Sequence, residues 1–267
     1  MATRDLAGRA IRALTPSGRA ATVLAAVAFA VPFMGTATAE PLNTPLGVVE
    51  LFTSQGCNSC PAADSVFSEL VSRGDVVALA YHVDYWDYLG WRDTLGSPQN
   101  TARQYEYMKS FGAQSVYTPQ AVINGRTHVN GASKQEIDQA INELKGGGAG
   151  LDVKVRTIRQ GASLRIEADA ATGDANEAEV LLVYFDPPTP VDIDQGENTG
   201  KTVTYWNAVT SVQVAGMWHG KPASFELPMR EVAKNGAGGY AVLLQAVNGD
   251  GSPGPILGAT LIREPGG

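Results

Sequence analysis

The sequence predicts an α/β domain of order β-α-β-α-β-β-α followed by an all-β, sandwich-like domain. Three observations predict it. Apolar strands alternate with amphipathic helices over residues 46–145, glycines cluster at 146–150, and short apolar segments separated by turn signals follow from residue 151. The chain has 267 residues, room for one large domain or two ordinary ones. With 44% apolar and 18% charged residues it can bury a core. A net charge of -7 and the lack of any basic run exclude the electrostatic footprint of a nucleic-acid binder.

Residues 1–39 read as a signal peptide and stand apart from the fold. Arg4, Arg9, Arg12 and Arg19 form a positive start. Ala20 to Met34 is apolar but short for a membrane span, and Ala37-Thr38-Ala39 is a small-x-small cleavage site. There is no Arg-Arg pair, so the general export route is expected. The mature protein is therefore expected to be exported, periplasmic or secreted, with no stable membrane insertion after cleavage. Its two cysteines would meet an oxidising compartment.

The expected domain boundaries are 40–145, 146–150 for the linker and 151–267. In the first domain, Leu46 to Phe52 is an apolar strand. Pro61 suits a first helical turn, where its missing N–H has no partner to lose. Ala62, Ala63, Val66, Phe67, Leu70 and Val71 recur at helical spacing up to Arg73-Gly74. Val76 to Val83 is a second, mostly apolar strand, as a central position requires. Asp84 to Asp93 is dense in aromatics and acids without a period. Ser97-Pro98 caps and opens a helix that runs to Phe111. Gln120–Ile123 and Arg126–Asn130 flank Asn124-Gly125, the strongest short hairpin signal. Ser133 with Glu136 forms a capping box for a helix with Ile137, Ile141 and Leu144 on one face. Lys145 to Gly150 reads as a flexible linker.

Beyond the linker, Leu151–Ile158, Ser163–Ala168, Glu179–Phe185, Thr202–Trp206, Val209–Val214, Ser224–Leu227, Tyr240–Val247 and Ile256–Ile262 read as strands. No helix is expected there. That spacing predicts a β-sandwich. Asp186 to Lys201, with Pro187, Pro188 and Pro190, reads as a long ordered loop, a class that is often functional.

The chemistry-bearing stretch is Gly56-Cys57-Asn58-Ser59-Cys60-Pro61, which holds the only two cysteines of the chain. They sit where a strand turns into a helix. Unpaired backbone N–H groups and the positive helix end favour thiolate there, and thiolate is the reacting species. Spacing alone leaves three readings: a redox dithiol, half of a metal site, or a structural disulfide.

Position narrows them. A Cys-x-x-Cys after the first strand, in a β-α-β-α-β-β-α order, resembles the thioredoxin fold. More narrowly, Glu50 to Asp64, Tyr81 to Asp87 with Gly90-Trp91, Tyr117 to Gln120 with Asn124-Gly125, and Gly196 to Gly200 with Thr202 resemble the secreted thioredoxin-like proteins catalogued as domain-of-unknown-function family 1223. That resemblance covers nearly all of the mature chain and brings no reaction with it. The thioredoxin likeness implies a cis Thr118–Pro119 bond facing the dithiol. The chain departs from well-studied thioredoxins: Gly56 stands in place of a tryptophan, and Asn58-Ser59 in place of Gly-Pro.

The function expected on this basis is thiol–disulfide exchange on exported proteins, with a reducing or oxidising partner protein and no cofactor. Cys57, nearer the turn, is expected as the exposed nucleophile and Cys60 as the resolving thiol. The backbone of Thr118 and Pro119 is expected to hold an extended client. His82 and Trp86 are the expected modulators. The alternative is a non-enzymatic module: copper(I) or zinc held by Cys57 and Cys60 with His82 or His128, or a redox-inert ligand binder. No methionine- or histidine-rich tract supports the metal reading. Tyr81, Tyr85, Trp86, Tyr88 and Trp91 either line a binding rim or pack the long connection inward, and packing is preferred. Asp84, Asp87 and Asp93 are expected to be solvated loop acids rather than calcium ligands.

Overall fold

The structure, a computed structural model, describes residues 44–173 and 176–264; the expected signal peptide lies outside them. Among the described residues no helix is long and apolar enough to cross a membrane.

Strand β1 (Val48–Thr53) is buried at every position, as an inner strand of a covered sheet must be. Its one acid, Glu50, accepts from Arg103 Nε at 2.8 Å and from the Tyr107 hydroxyl, so its charge is paired. Helix α1 (Cys60–Arg73) has Pro61 in its first turn. It stops at Gly74, whose φ of 71° closes a bond to the Leu70 carbonyl. Strand β2 (Val77–His82) returns parallel to β1, with Thr53 opposite His82. Helix α2 (Pro98–Ser110) is capped by Ser97 Oγ, which accepts from Asn100 N. Strands β3 (Gln120–Ile123) and β4 (Thr127–Asn130) form an antiparallel hairpin. Its turn residues, Asn124 and Gly125, lie at φ 50° and 61°. The Thr118–Pro119 bond is cis, as expected from the sequence. Helix α3 (Lys134–Gly146) is capped by Ser133 Oγ, which accepts from Glu136 N. These elements form a sheet of order β2-β1-β3-β4, with β3 antiparallel to β1. The first glycines of the expected linker belong to the end of α3, where Gly147 N donates to the Glu143 carbonyl.

The second half holds β5 (Val155–Gln160), β6 (Ser163–Ala168), β7 (Ala178–Phe185), β8 (Thr189–Ile193), β9 (Lys201–Tyr205), β10 (Val209–Trp218) and β11 (Ala223–Pro228). Helix α4 (Met229–Asn235), β12 (Gly239–Val247) and β13 (Pro253–Arg263) complete it. Two expectations are corrected here. The sequence predicts no helix in this half, yet α4 forms, a short helix whose one buried residue is Val232. The segment Asp186–Lys201, read as a loop, contains β8, which pairs only with β9. Prolines 187, 188 and 190 hide the strand signal, and proline is tolerated on such an edge.

Strands β10-β7-β12-β13 make one sheet and β11-β6-β5 another. Side chains alternate across a strand, and β7 shows what that does. Val180, Leu182 and Tyr184 face the three-stranded sheet, beside Leu164, Ile166 and Trp218. Leu181, Val183 and Phe185 face the first half of the chain, beside Phe52, Leu79 and Tyr81. The four-stranded sheet is thus a wall shared by two cores. A second contact seals the free edge of β2: Ala80 N donates to the Asn207 carbonyl at 3.0 Å, and Asn207 Nδ2 donates to the Ala78 carbonyl at 2.8 Å.

Candidate functional site

Strand β1 delivers the chain into the turn Ser54-Gln55-Gly56, and α1 carries it away. Within that turn Cys57 N donates to the Ser54 carbonyl, and Cys60 N to the Cys57 carbonyl. Cys57 and Cys60 form a disulfide, with their Cα atoms 5.4 Å apart. Ser59 Oγ lies 3.4 Å from Cys57 Sγ.

The expected exposed nucleophile is not exposed. Cys57 retains 1% of its surface and Cys60 none, while Asn58 and Ser59 between them are open to solvent. Two neighbours pack on the loop that bears them. On one side Trp86 packs on Gly56 so closely that a Cβ there would lie 3.1 Å from the Trp86 Cβ. A side chain at position 56 would therefore have to displace Trp86. The Trp86 indole N–H also donates to Thr118 Oγ1 at 2.8 Å, which ties the cover to the segment bearing Pro119.

The other cover comes from the β8–β9 hairpin. Asn198 Nδ2 donates to the carbonyls of Gln55 and Cys57, at 2.9 and 2.8 Å, and Lys201 Nζ holds the Asn198 oxygen at 2.7 Å. Gln55 fastens the same turn to the aromatic connection: its Oε1 accepts from Trp91 Nε1 and Thr94 N.

Beneath the disulfide lies a buried ionisable cluster. The Asp64 carboxyl accepts from Thr53 Oγ1 at 2.8 Å through one oxygen; the other has no partner. Burial raises the Asp64 pKa from 3.8 to about 7, against the partly opposing charge of His82. His82 Nδ1 bonds Asp93 Oδ2 at 2.9 Å, its Nε2 has no partner, and the Tyr205 ring meets it edge-on. Burial works against a charged His82, but the Asp93 carboxylate more than offsets it and holds the His82 pKa above its ordinary value. Burial likewise disfavours an ionised Asp93, yet His82 and the N–H groups of Gln55 and Leu95 keep its pKa below normal. The two stand as an ion pair. Asp93 is therefore not the solvated loop acid expected from the sequence.

The structure brings Cys57, Cys60, Trp86, Thr118 and His82 into one region. Pro119 lies beside Gly131, where an added Cβ would also meet Ala63 and Leu51. His128 is elsewhere, bonded to the Tyr117 hydroxyl and packed on Phe111. Among the described residues no group of three or more His, Cys, Asp or Glu side chains is placed to hold a metal ion. A cleft of about 640 Å³ opens between α2 and strands β10 and β12, away from the disulfide. Sequence reasoning missed Asp64, Gln55 and Asn198. Asp64 had a signal: an acid four residues after Cys60 on an otherwise apolar helix face.

Fold and site together define a mixed α/β protein of several sheets with a covered Cys-x-x-Cys disulfide at a helix start. The chain belongs to the family described as protein of unknown function DUF1223, whose model matches residues 48–245. It is similar to an Agrobacterium tumefaciens protein solved by X-ray crystallography: 45% identity, 84% of this chain and 97% of that one covered, TM-score 0.77. No curated protein matches the chain.

Proposed function

We propose that this chain is an exported thiol–disulfide oxidoreductase whose first half is a thioredoxin-like domain and whose β8–β9 hairpin gates the dithiol. One observation carries the reading. The only two cysteines form a disulfide at the start of α1, directly after the central strand of a β2-β1-β3-β4 sheet, with Trp86 linking their loop to the Thr118–Pro119 segment.

In the reducing direction, Cys57 thiolate attacks a client disulfide and expels one client thiolate. Cys60 then attacks the Cys57 sulfur, closes the internal disulfide and expels the second. Two electrons pass to the client, and the protons lost by the two cysteines end on its sulfurs. The Ser59 hydroxyl beside Cys57 Sγ supplies a donor for the thiolate. A protein client reaches these sulfurs only after Asn198 releases the Gln55 and Cys57 carbonyls, so the hairpin sets access. The backbone of Thr118 and Pro119 then receives the client as an added strand.

The burial of both sulfurs favours a second reading, a structural clasp that is never reduced in use. Equilibration with glutathione and dithiothreitol buffers, read by thiol alkylation and mass, decides between them. A potential between about -270 and -120 mV supports exchange; one below about -300 mV marks a structural disulfide and defeats the proposal. Turnover of insulin by the wild type and its loss in Cys57→Ser is the matching activity test.

A further inference from the structure

We propose that a second pocket, at the C-terminal end of α1, binds a small zwitterion: a free apolar amino acid whose carboxylate meets Arg263 and whose ammonium meets Asp186. The pocket has a volume of about 250 Å³, and its lining includes Ser72, Asp186, Pro187, Pro188, Trp206 and Arg263. A water occupies about 30 Å³ of liquid, so the space suits a ligand of roughly eight non-hydrogen atoms. Neither cysteine lines it, so binding here is independent of the exchange reading.

The two charges of this pocket lack partners. Arg263 closes β13, and its side chain makes one bond, from Nη2 to the Val71 carbonyl at 3.3 Å. That bond serves the last turn of α1. A guanidinium has donors to spare beyond it. Asp186 follows β7 directly, and among the described residues its carboxylate has no ion-pair partner, Arg263 included. Both side chains are partly withdrawn from water. Burial alone lowers the Arg263 pKa and raises that of Asp186; no neighbouring charge offsets either shift. Two opposite charges thus line one pocket without meeting. A charge withdrawn from water is stabilised by an opposite one, and here each lacks it. A ligand that carries both charges supplies the two missing partners at once. A simple anion or cation supplies one and leaves the other alone.

The backbone holds the two residues in place before any ligand arrives. Asp186 N donates to the Ala208 carbonyl at 2.9 Å, and Gly238 N to the Phe185 carbonyl at 3.0 Å. Glu264 N, next to Arg263, donates to the Gly238 carbonyl at 3.2 Å. Glycine is required at 238, because a Cβ there would lie 2.3 Å from Asp186 C and Pro187 N. The strand ends that bear the two charges are therefore fastened to one glycine, and a site so fixed loses little freedom on binding. Trp206, Pro187 and Pro188 give an apolar side to receive the ligand's own side chain. Valine matches the pocket in charge, size and apolar character.

The test titrates the oxidised full chain with L-valine, 3-methylbutanoate and isobutylamine. The last two are valine without its amino group and valine without its carboxyl group. Binding is followed by calorimetry and by the Trp206 indole N–H resonance, assigned from its loss in Trp206→Phe. L-valine should bind, and each half-ligand should bind at least about tenfold more weakly, the effect of losing one charge-assisted contact. Asp186→Asn should weaken valine to the level of 3-methylbutanoate, whose own affinity should not fall. Arg263→Gln should weaken valine to the level of isobutylamine. If Arg263→Gln disturbs the end of α1, the three ligands on the wild type still decide. No binding of L-valine up to about 10 mM, ten times a millimolar dissociation constant, overturns the proposal. Equal binding of valine and either half-ligand overturns it too, since that marks a site for a lone charge. So does valine binding that both variants leave unaltered.

Discussion

Replacing Asp64 by Asn should make the protein more stable in mild alkali and less stable in mild acid. Burial lifts the Asp64 pKa from 3.8 to about 7. A group whose folded pKa exceeds its unfolded value contributes stability that is complete below 3.8 and is lost as pH rises through 7. Each unit is worth about 1.4 kcal/mol, so the ionisable carboxyl weakens the fold by about 4 kcal/mol above pH 7 relative to acid conditions. Asn removes that slope and keeps the Thr53 bond through its own oxygen. It also puts an N–H where the orphaned oxygen stood, at roughly 1–3 kcal/mol. The net is a gain of about 1–3 kcal/mol at pH 8 and a loss of similar size near pH 4, with the curves crossing between. Urea unfolding of the oxidised full chain at a series of pH values measures this. Parallel curves for wild type and variant would show that Asp64 does not titrate in the folded protein, and the electrostatic account of the buried cluster would be wrong.

Asn198→Ala removes two bonds to buried carbonyls, so stability should fall by about 2 kcal/mol and dithiothreitol should reduce Cys57–Cys60 faster; unaltered reduction kinetics would mean that the hairpin does not control access. Glu50→Gln breaks the pair with Arg103, and the charge left on a largely buried guanidinium should cost about 3–5 kcal/mol in thermal or urea unfolding. Gly125→Ala places a Cβ 2.5 Å from the Gly254 carbonyl at a φ of 61°, so differential scanning should show a lower melting temperature, equivalent to at least about 1–2 kcal/mol.

What the sequence reveals about this fold follows from the range of the interactions involved. Asn124-Gly125, Ser97-Pro98 and Ser133 with Glu136 act within a few residues, so the hairpin and the two helix starts are legible without any neighbour. The Cys-x-x-Cys and its helix are legible for the same reason. The cover is not. Asn198 lies 141 residues from Cys57, and nothing near either residue announces the contact. Prolines conceal β8 because they weaken a strand pattern that survives on a ribbon paired along one side only. Asp93 sits in a run of acids and aromatics that looks solvent-facing, and only the arrival of His82 from β2 explains its burial. The turn considered alone predicts an exposed Cys57; Trp86 and Asn198, each brought in from elsewhere, pack on the loop in which it is buried.

The wall of β7 and β12 also limits how the gene can be divided. Severing the chain at the glycines after α3 would strip the apolar side of that wall, with Leu181, Val183, Ala241 and Leu243, and equally bare Phe52, Leu79 and Tyr81 on the opposing fragment. Neither piece would have anything but water or its own kind to cover the loss, so fragments made separately should clump. Recombination could trade the loops and the outer three-stranded sheet among relatives, but the two portions that meet at this wall would have to be inherited together.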